Sequence, residues 1–326
     1  MRKFLAFPPK DFYEVKKVEK QLQIFYKPSK EGAYRSIETP KEGVWIHVDD
    51  AKASDLDRIM ELTDIDYTHL KDSLDRYEVP RIEQEDTSIL VFTRHPCKEE
   101  GGLYTESLTI ILTREFFITI SPKKSELIDS ILKNPLRIST LQRSKLLFHI
   151  LLRITQHFNT SIKMVRHQVL EQEKNTDNID SESIVDLTKN EEILNQYLTS
   201  LVPMKNLLEA ISSGRFVHLY EKDIDLLQDL TIAIKQSEDL CSVNIKSIRS
   251  LRDAYQIIFT NDVNKTIKRL TAITIIFTIP TIISSVYGMN ISLPLEKNPL
   301  AFIILLNVIL VTSFLSVLIF LRKKWL

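Results

Sequence analysis

Leu270-Thr271-Ala272-Ile273-Thr274-Ile275-Ile276-Phe277-Thr278-Ile279-Pro280-Thr281-Ile282-Ile283-Ser284-Ser285-Val286 carries neither a charge nor a glycine. At about 1.5 Å per residue, a helix of this length nearly crosses a hydrocarbon core of roughly 30 Å. Residues 299–321 form a longer uncharged run rich in Leu, Ile, Val and Phe, with Asn298 and Pro299 placed as helix cap and first-turn residue. Together the two runs are too long and too apolar for a hairpin buried in a soluble core, so two membrane-spanning helices are expected.

Charge around the runs orients them. Lys265, Lys268 and Arg269 precede the first, Arg322, Lys323 and Lys324 follow the second, and the short link offers only Glu296 and Lys297. Basic residues stay on the cytoplasmic side, so both termini are expected in the cytoplasm of a multi-pass cell-membrane protein, inner or plasma, with the link outside. The start of the chain agrees: Phe4-Leu5-Ala6-Phe7 is too short an apolar core for a signal peptide before Pro8 and Pro9. Two spans leave no lumen between them, so any polar path requires several copies of the chain.

Asn264, Ile267, Thr271, Thr274, Thr278, Thr281 and Ser285 step by alternating threes and fours, the period of a coiled-coil seam, and form one narrow face of the first run. Ile275, Ile276, Ile279, Ile282, Ile283 and Val286 occupy the other faces. Two readings fit. Either parallel copies turn these hydroxyls toward water around a shared axis, or each hydroxyl bonds a carbonyl one turn earlier and tightens packing. Ile267 and Leu270, at the inner end of the face, suit an apolar constriction or ordinary packing. Pro280 removes a backbone donor and is expected to loosen the helix locally.

Tyr287-Gly288-Met289-Asn290 follows at the outer end of the first run. With a second span behind it and the ending Arg322-Lys323-Lys324-Trp325-Leu326, this stretch resembles the GMN signature of the CorA magnesium channel family. Pro80-Arg81-Ile82-Glu83 and residues 261–270 resemble further segments of that family. The resemblance implies a funnel-shaped homopentamer in membrane lipid, in which Gly288, Met289 and Asn290 form the outer selectivity element and Asn264 a second polar ring. It also implies a regulatory magnesium between Asp229 on a stalk helix and Asp72 of the neighbouring subunit, and a basic collar of Lys323 and Lys324. The motif has a physical reason. Magnesium dehydrates reluctantly, so its entrance needs neutral oxygen acceptors that meet a hydrated ion, and a residue without a side chain at 288 lets backbone oxygens approach the axis and the helix end. The sequence departs from the family in its link, where residues 291–297 hold one acid beside one lysine, which weakens cation attraction at the mouth.

Upstream, 43 acidic and 43 basic residues balance, which points to neither nucleic acid nor a generally acidic partner. Up to residue 134, β-rich runs at 43–48, 88–93, 107–113 and 115–120, with short helices at 55–62 and 66–74, read as an α/β unit. No glycine lies between Gly102 and Gly214, and apolar residues recur every three or four positions, so long helices are expected over 139–173, then to 212 with a bend at Pro203, then from Glu221 into the membrane. The expected fold is thus an α/β cytoplasmic domain (1–134), a helical hairpin and stalk helix (135–269), a first span with its motif (270–290), a link (291–298), a second span (299–321) and a basic tail (322–326).

Glu171, Glu173, Asp177, Asp180, Glu182 and Asp186 make the hairpin tip acidic; it reads as a solvated end or, by the resemblance, as a counterpart to the basic collar. Cys97 and Cys241 have no CxxC spacing and read as reduced thiols, and the histidines show no ligand spacing beyond the pair His95 and Cys97, which reads as structural. No nucleotide-binding or hydrolase motif is present, which points away from an enzyme and from an organic cofactor. The function expected is passive magnesium transport gated by intracellular magnesium, with cobalt, nickel or zinc as related ions. The competing readings are a zinc or cobalt transporter of the same superfamily and a membrane-anchored sensor or assembly protein. The hydroxyl face speaks against a mere tether, which needs no polar stripe.

Overall fold

The computed structural model describes residues 22–99, 102–174, 181–217, 219–291, 293–294 and 298–326. Contacts divide the chain into two compact units, one holding residues up to 170 with 189–247, the other 171–188 with 248–326.

In the first unit, β1 (Leu22–Tyr26), β2 (Arg35–Ser36), β3 (Trp45–Val48), β4 (Arg81–Glu85), β5 (Ser88–Glu99), β6 (Gly102–Leu112) and β7 (Phe117–Ile120) build one sheet in the order β2-β1-β3-β7-β6-β5-β4. Every neighbouring pair is antiparallel except β3 and β7, which run parallel with Trp45 opposite Phe117. All four residues of β3 and of β7 are buried, because both faces of the sheet are covered. One apolar cluster joins Ile46, Val48, Phe92 and Ile118 of the sheet to Leu56 and Ile59 of α1 (Ala53–Thr63) and Leu70 of α2 (Tyr67–Leu70).

The expected helix over 66–74 is two pieces. Asp66 caps α2 by accepting from the Thr68 amide, and the chain then tightens into a 3-10 turn at Lys71–Leu74. β1, β2 and β4 were not expected, and β5 and β6 run well beyond the expected 88–93 and 107–113. Glu126–Lys133 forms α3, also not expected, begun by Ser125, whose hydroxyl accepts from the Ile128 amide at 3.4 Å.

The long helices lie close to where apolar spacing puts them: α4 at Arg143–Lys174, α5 at Ser181–Ser212 with Pro203 inside it, and α6 at Glu221–Tyr287. Within the first unit they bury Leu147, Phe148, Leu151, Ile154 and Phe158 of α4, Leu194, Tyr197, Leu201 and Met204 of α5, and Leu227, Leu230, Ile234 and Cys241 of α6. Each set falls along one face of its helix, at steps of three, four or seven residues with Leu147 and Phe148 side by side.

In the second unit α6 continues without a break, and α7 spans Ala301–Arg322. Asn298 acts three residues ahead of α7, its side chain accepting from the amide of the N-cap residue Leu300 at 2.9 Å, so Pro299 precedes the helix instead of opening it. Both helices are long and apolar enough to cross a membrane. Ala301, Leu305, Ile309, Thr312, Ser313, Ser316, Val317 and Phe320 are the partly buried positions of α7, all on one side of the helix. Together with Ala272, Ile276, Ile279 and Ile283 of α6, which are shielded in the same way, they mark the faces by which the two helices meet. Outside those faces nearly every large apolar side chain of the pair is exposed, as a lipid-facing surface demands.

Candidate functional site

Thr271, Thr274, Thr278, Thr281 and Ser285 are all exposed on α6. At 3.6 residues per turn, the centre of their stripe lies about 150° around the helix from the face of Ala272, Ile276, Ile279 and Ile283. The hydroxyls therefore point away from α7. Their hydrogen bonding matches the second of the two readings of the stripe: Thr271 donates to the Ile267 carbonyl at 2.8 Å, Thr274 to Leu270 at 2.9 Å, Thr278 to Thr274 at 2.7 Å and Thr281 to Phe277 at 2.9 Å. The first reading survives alongside it. A hydroxyl whose proton is committed to its own helix still offers oxygen lone pairs outward, so the four threonines present acceptors and no donors. Asn264 is exposed at its inner end, and Ile267 and Leu270 are 54% and 64% exposed, so neither of those two is packed within the chain.

At the outer end, the Gly288 amide bonds the Ser284 carbonyl at 2.9 Å and the Met289 amide bonds Val286 at 3.3 Å, which closes the last turn of α6. Tyr287 donates its hydroxyl to the Pro294 carbonyl at 3.5 Å. Met289 and Asn290 are exposed, and among the described residues the Asn290 amide has no hydrogen-bond partner. Gly288 follows the end of α6 without taking a left-handed conformation, and among the described residues a Cβ built there would meet only the Ser284 and Ser285 carbonyl oxygens at 3.5 and 3.6 Å, ordinary contact. Nothing among the described residues requires glycine at 288. A pocket of about 460 Å³ lies beneath this turn, lined by Ile283, Tyr287, Phe302, Leu305 and Ile309 among others.

Asp72 sits in the 3-10 turn, half-buried, and accepts a hydrogen bond through Oδ2 from Arg81 Nη2 at 2.8 Å. The same guanidinium bonds Glu78 through Nη1 and Glu83 through Nε at 2.6 Å, and lies 4.0 Å over the Phe92 ring. Partial burial pulls the Arg81 pKa down, but the bond to Glu83 and the nearby carboxylates of Glu78 and Asp72 outweigh it and raise the pKa above the ordinary value. Neither Glu78 nor the bonding role of Arg81 was read from the sequence. The available signal was period-two alternation in β4, which sets Arg81 and Glu83 on one face. Asp229 is exposed on α6 and makes no hydrogen bond or ion pair among the described residues. Of the acidic tip, Asp177 and Asp180 lie outside the described residues. Lys323 and Lys324 are exposed, just beyond α7.

His95 is buried on β5. Its Nδ1 faces the Pro96 carbonyl at 3.0 Å, its Nε2 the Ser125 hydroxyl at 3.3 Å, and its ring stacks on His157 at 6.4 Å between centroids. Burial, with His157 and Arg94 nearby, lowers its pKa to about 4. Both ring nitrogens are thus within hydrogen-bond distance of protein groups. Cys241 is also buried, its Sγ donating to the Leu194 carbonyl at 3.0 Å, and burial pushes its thiol up to about 12. Among the described residues no group of three or more His, Cys, Asp or Glu is placed to hold a metal ion.

An α/β soluble domain continued by one unbroken helix into the first of two candidate spans, with a polar stripe on that span's free face, defines a membrane protein of the transport class. The family described as CorA-like Mg2+ transporter protein matches residues 40–323. A cobalt/magnesium transport protein CorA from Methanocaldococcus jannaschii is 26% identical over 289 residues, which cover 86% of this chain and 91% of that one. The complete structure of the CorA magnesium transporter from the same organism superposes with a TM-score of 0.77 at 23% identity, covering 94% of this chain and 98% of that chain. Full-length CmaX superposes with a TM-score of 0.68 at 17% identity, covering 94% and 97%. The chain belongs to the CorA-like Mg2+ transporter family.

Proposed function

We propose that five copies of this chain stand side by side in the cell membrane and pass Mg2+ along an aqueous path lined by the Thr271, Thr274, Thr278, Thr281 and Ser285 stripe. The observation that carries the reading is the direction of that stripe: it is exposed, turned away from α7, and leads to Gly288-Met289-Asn290. A hydrated magnesium ion points water hydrogens outward, and a row of back-bonded threonines offers acceptors alone, so the wall suits a hydrated cation and repels neither its charge nor its shell. Asn290 amides and Gly288 carbonyls receive the ion at the outer mouth, and Asn264 holds a second polar ring. Ile267 and Leu270 form the apolar narrowing that closes by losing water. Because Gly288 answers no need of the described residues around it, its need arises where copies crowd an axis.

Both termini are cytoplasmic in this reading, and no organic cofactor or chemical energy source is required. The membrane potential supplies about 4.6 kcal/mol per divalent ion per 100 mV, twice the single-charge value. Gating uses Asp72 and Asp229, whose carboxylate oxygens suit a hard cation that keeps most of its water, and bound magnesium there holds neighbouring subunits in the closed arrangement. Lys323 and Lys324 form a basic collar at the inner mouth. Cobalt is the second ion to consider, because the Methanocaldococcus relative is named for both metals; nickel and zinc follow as related divalent ions. The test is influx into liposomes of the purified chain under an imposed potential, with Mg2+, Co2+, Ni2+ and Zn2+ in parallel. Magnesium entry that grows with the potential is expected, and flux of none of the four overturns the reading. Cross-linking in detergent is expected to give a ladder ending at five, whereas a limit at two is incompatible with the path described.

A further inference from the structure

Asp72 already has a cation. Arg81 Nη2 bonds its Oδ2 at 2.8 Å, while the rest of the same guanidinium serves Glu78 and, at 2.6 Å, Glu83. One positive charge is thus shared among three carboxylates, which leaves two net negative charges at the edge of the turn. The arginine is held in place from behind, lying 4.0 Å over the Phe92 ring, and β4 and the Lys71–Leu74 turn position two of its partners, Glu83 and Asp72. The other Asp72 oxygen, Oδ1, accepts no hydrogen bond among the described residues, and the carboxyl is 35% exposed. Lys71, directly adjacent in sequence, is exposed and makes no ion pair among the described residues, although it carries the same charge. Geometry, not proximity in sequence, decides which cation Asp72 takes.

We propose that Arg81 is an internal counter-cation that competes with regulatory magnesium for Asp72 and so sets the magnesium concentration at which the sensor responds. The inference rests on the reading of Asp72 and Asp229 as the sensor. When magnesium is scarce, Arg81 neutralises Asp72 and the subunit edge is tolerable without metal. When magnesium rises, the ion takes Asp72 with its water shell, and the guanidinium falls back on Glu78 and Glu83, which keep it paired and in place. The exchange is therefore of one cation for another at a carboxylate that stays charged throughout, and the retained partners keep the arginine from being stranded. A solely structural Arg81, locking turn to strand, would alter melting and leave the magnesium midpoint alone.

The full-length protein in detergent is titrated with MgCl2 and its protection from limited proteolysis measured for wild type, Asp72→Ala, Arg81→Met, Arg81→Lys and Lys71→Met, each checked for assembly by size-exclusion chromatography. Asp72→Ala is expected to flatten the titration. Unchanged protection in that variant removes the sensor reading itself, and this inference with it. With Asp72→Ala flattened, Arg81→Met is expected to move the midpoint to about two- to fivefold lower magnesium, the upper part of the range expected for loss of one partly exposed charged contact. Arg81→Lys, whose single ammonium cannot serve three carboxylates, moves it the same way by less, and decides the matter if the methionine variant does not assemble. Lys71→Met removes an equal charge with no contact to Asp72 and is expected to move the midpoint by less than about twofold. A midpoint unmoved or raised in the Arg81 variants overturns the proposal. An equal shift in Lys71→Met does so too, because general charge would then suffice.

Discussion

Thr278→Val replaces one hydroxyl in the middle of the stripe by a methyl of nearly the same shape. The backbone loses little, since the Thr274 carbonyl that now receives the hydroxyl at 2.7 Å still has its helical amide partner. Valine is at least as well suited as threonine to an apolar span, so insertion and assembly are expected to be normal. What disappears is an outward acceptor from every copy at one level of the path. A net hydrogen bond is worth about 0.5–1.5 kcal/mol, so a hydrated ion that loses two such contacts meets a barrier raised by about 2 kcal/mol, a slowing of about 30-fold. Thr278→Ser keeps the oxygen and is expected to stay within about threefold of wild type. Ile276→Val, on the face turned to α7, is expected to lower thermal stability by about 1 kcal/mol and leave flux unchanged. Initial rates of Mg2+ entry into proteoliposomes, read with an internal magnesium dye at a fixed potassium diffusion potential, measure all three. Wild-type flux in Thr278→Val, or equal losses in the serine and valine variants, refutes the acceptor-lined wall.

Asn290→Ala is expected to abolish magnesium entry while the oligomer still forms; normal influx would remove Asn290 from the mouth. His95 links stability to pH. Its folded pKa of about 4 lies below the ordinary 6.5, so the unfolded chain binds the proton first, and the stability it contributes is complete above pH 6.5 and lost as pH falls toward 4. That loss is roughly 3 kcal/mol, and His95→Gln is expected to flatten the slope of melting temperature against pH over this window; an unchanged slope contradicts the assignment. Cys241 is expected to resist maleimide at neutral pH until the protein is denatured, because its thiol is buried and its pKa is pushed up to about 12, and mass spectrometry of the labelled native protein reads this directly.

The membrane helices were legible because hydropathy over 270–286 and 299–321 is a local property that needs no partner. The long soluble helices were legible for a related reason: no glycine interrupts the chain between Gly102 and Gly214, and each buried face repeats within one element. The sheet was read only in its interior. β4 is Arg-Ile-Glu-Gln-Glu, which looks like solvated chain and becomes a strand only through its pairing with residues 88–92 of β5. That pairing stops at Phe92 opposite Arg81, so β5 is an edge beyond it, and Pro96 is tolerated there while pairing with Thr105 on its other side. Proline inside the run hid the strand's true length. At the site, spacing alone found the threonine stripe, but which side it faces depended on α7 covering the opposite face. The spacing of Asp72 and Arg81 in sequence could not reveal their bond, because it needs the chain to tighten at Lys71–Leu74 before β4 begins.

The freedom at Gly288 bears on inheritance. A subunit with Gly288→Ala has no reason to misfold or to be cleared by quality control, since a methyl fits its own surroundings. In the proposed ring it would join healthy partners and crowd the shared mouth, so a cell making both kinds would build mostly mixed, defective assemblies. Such an allele would behave as dominant, whereas a change that unfolds the α/β domain would remove only its own product.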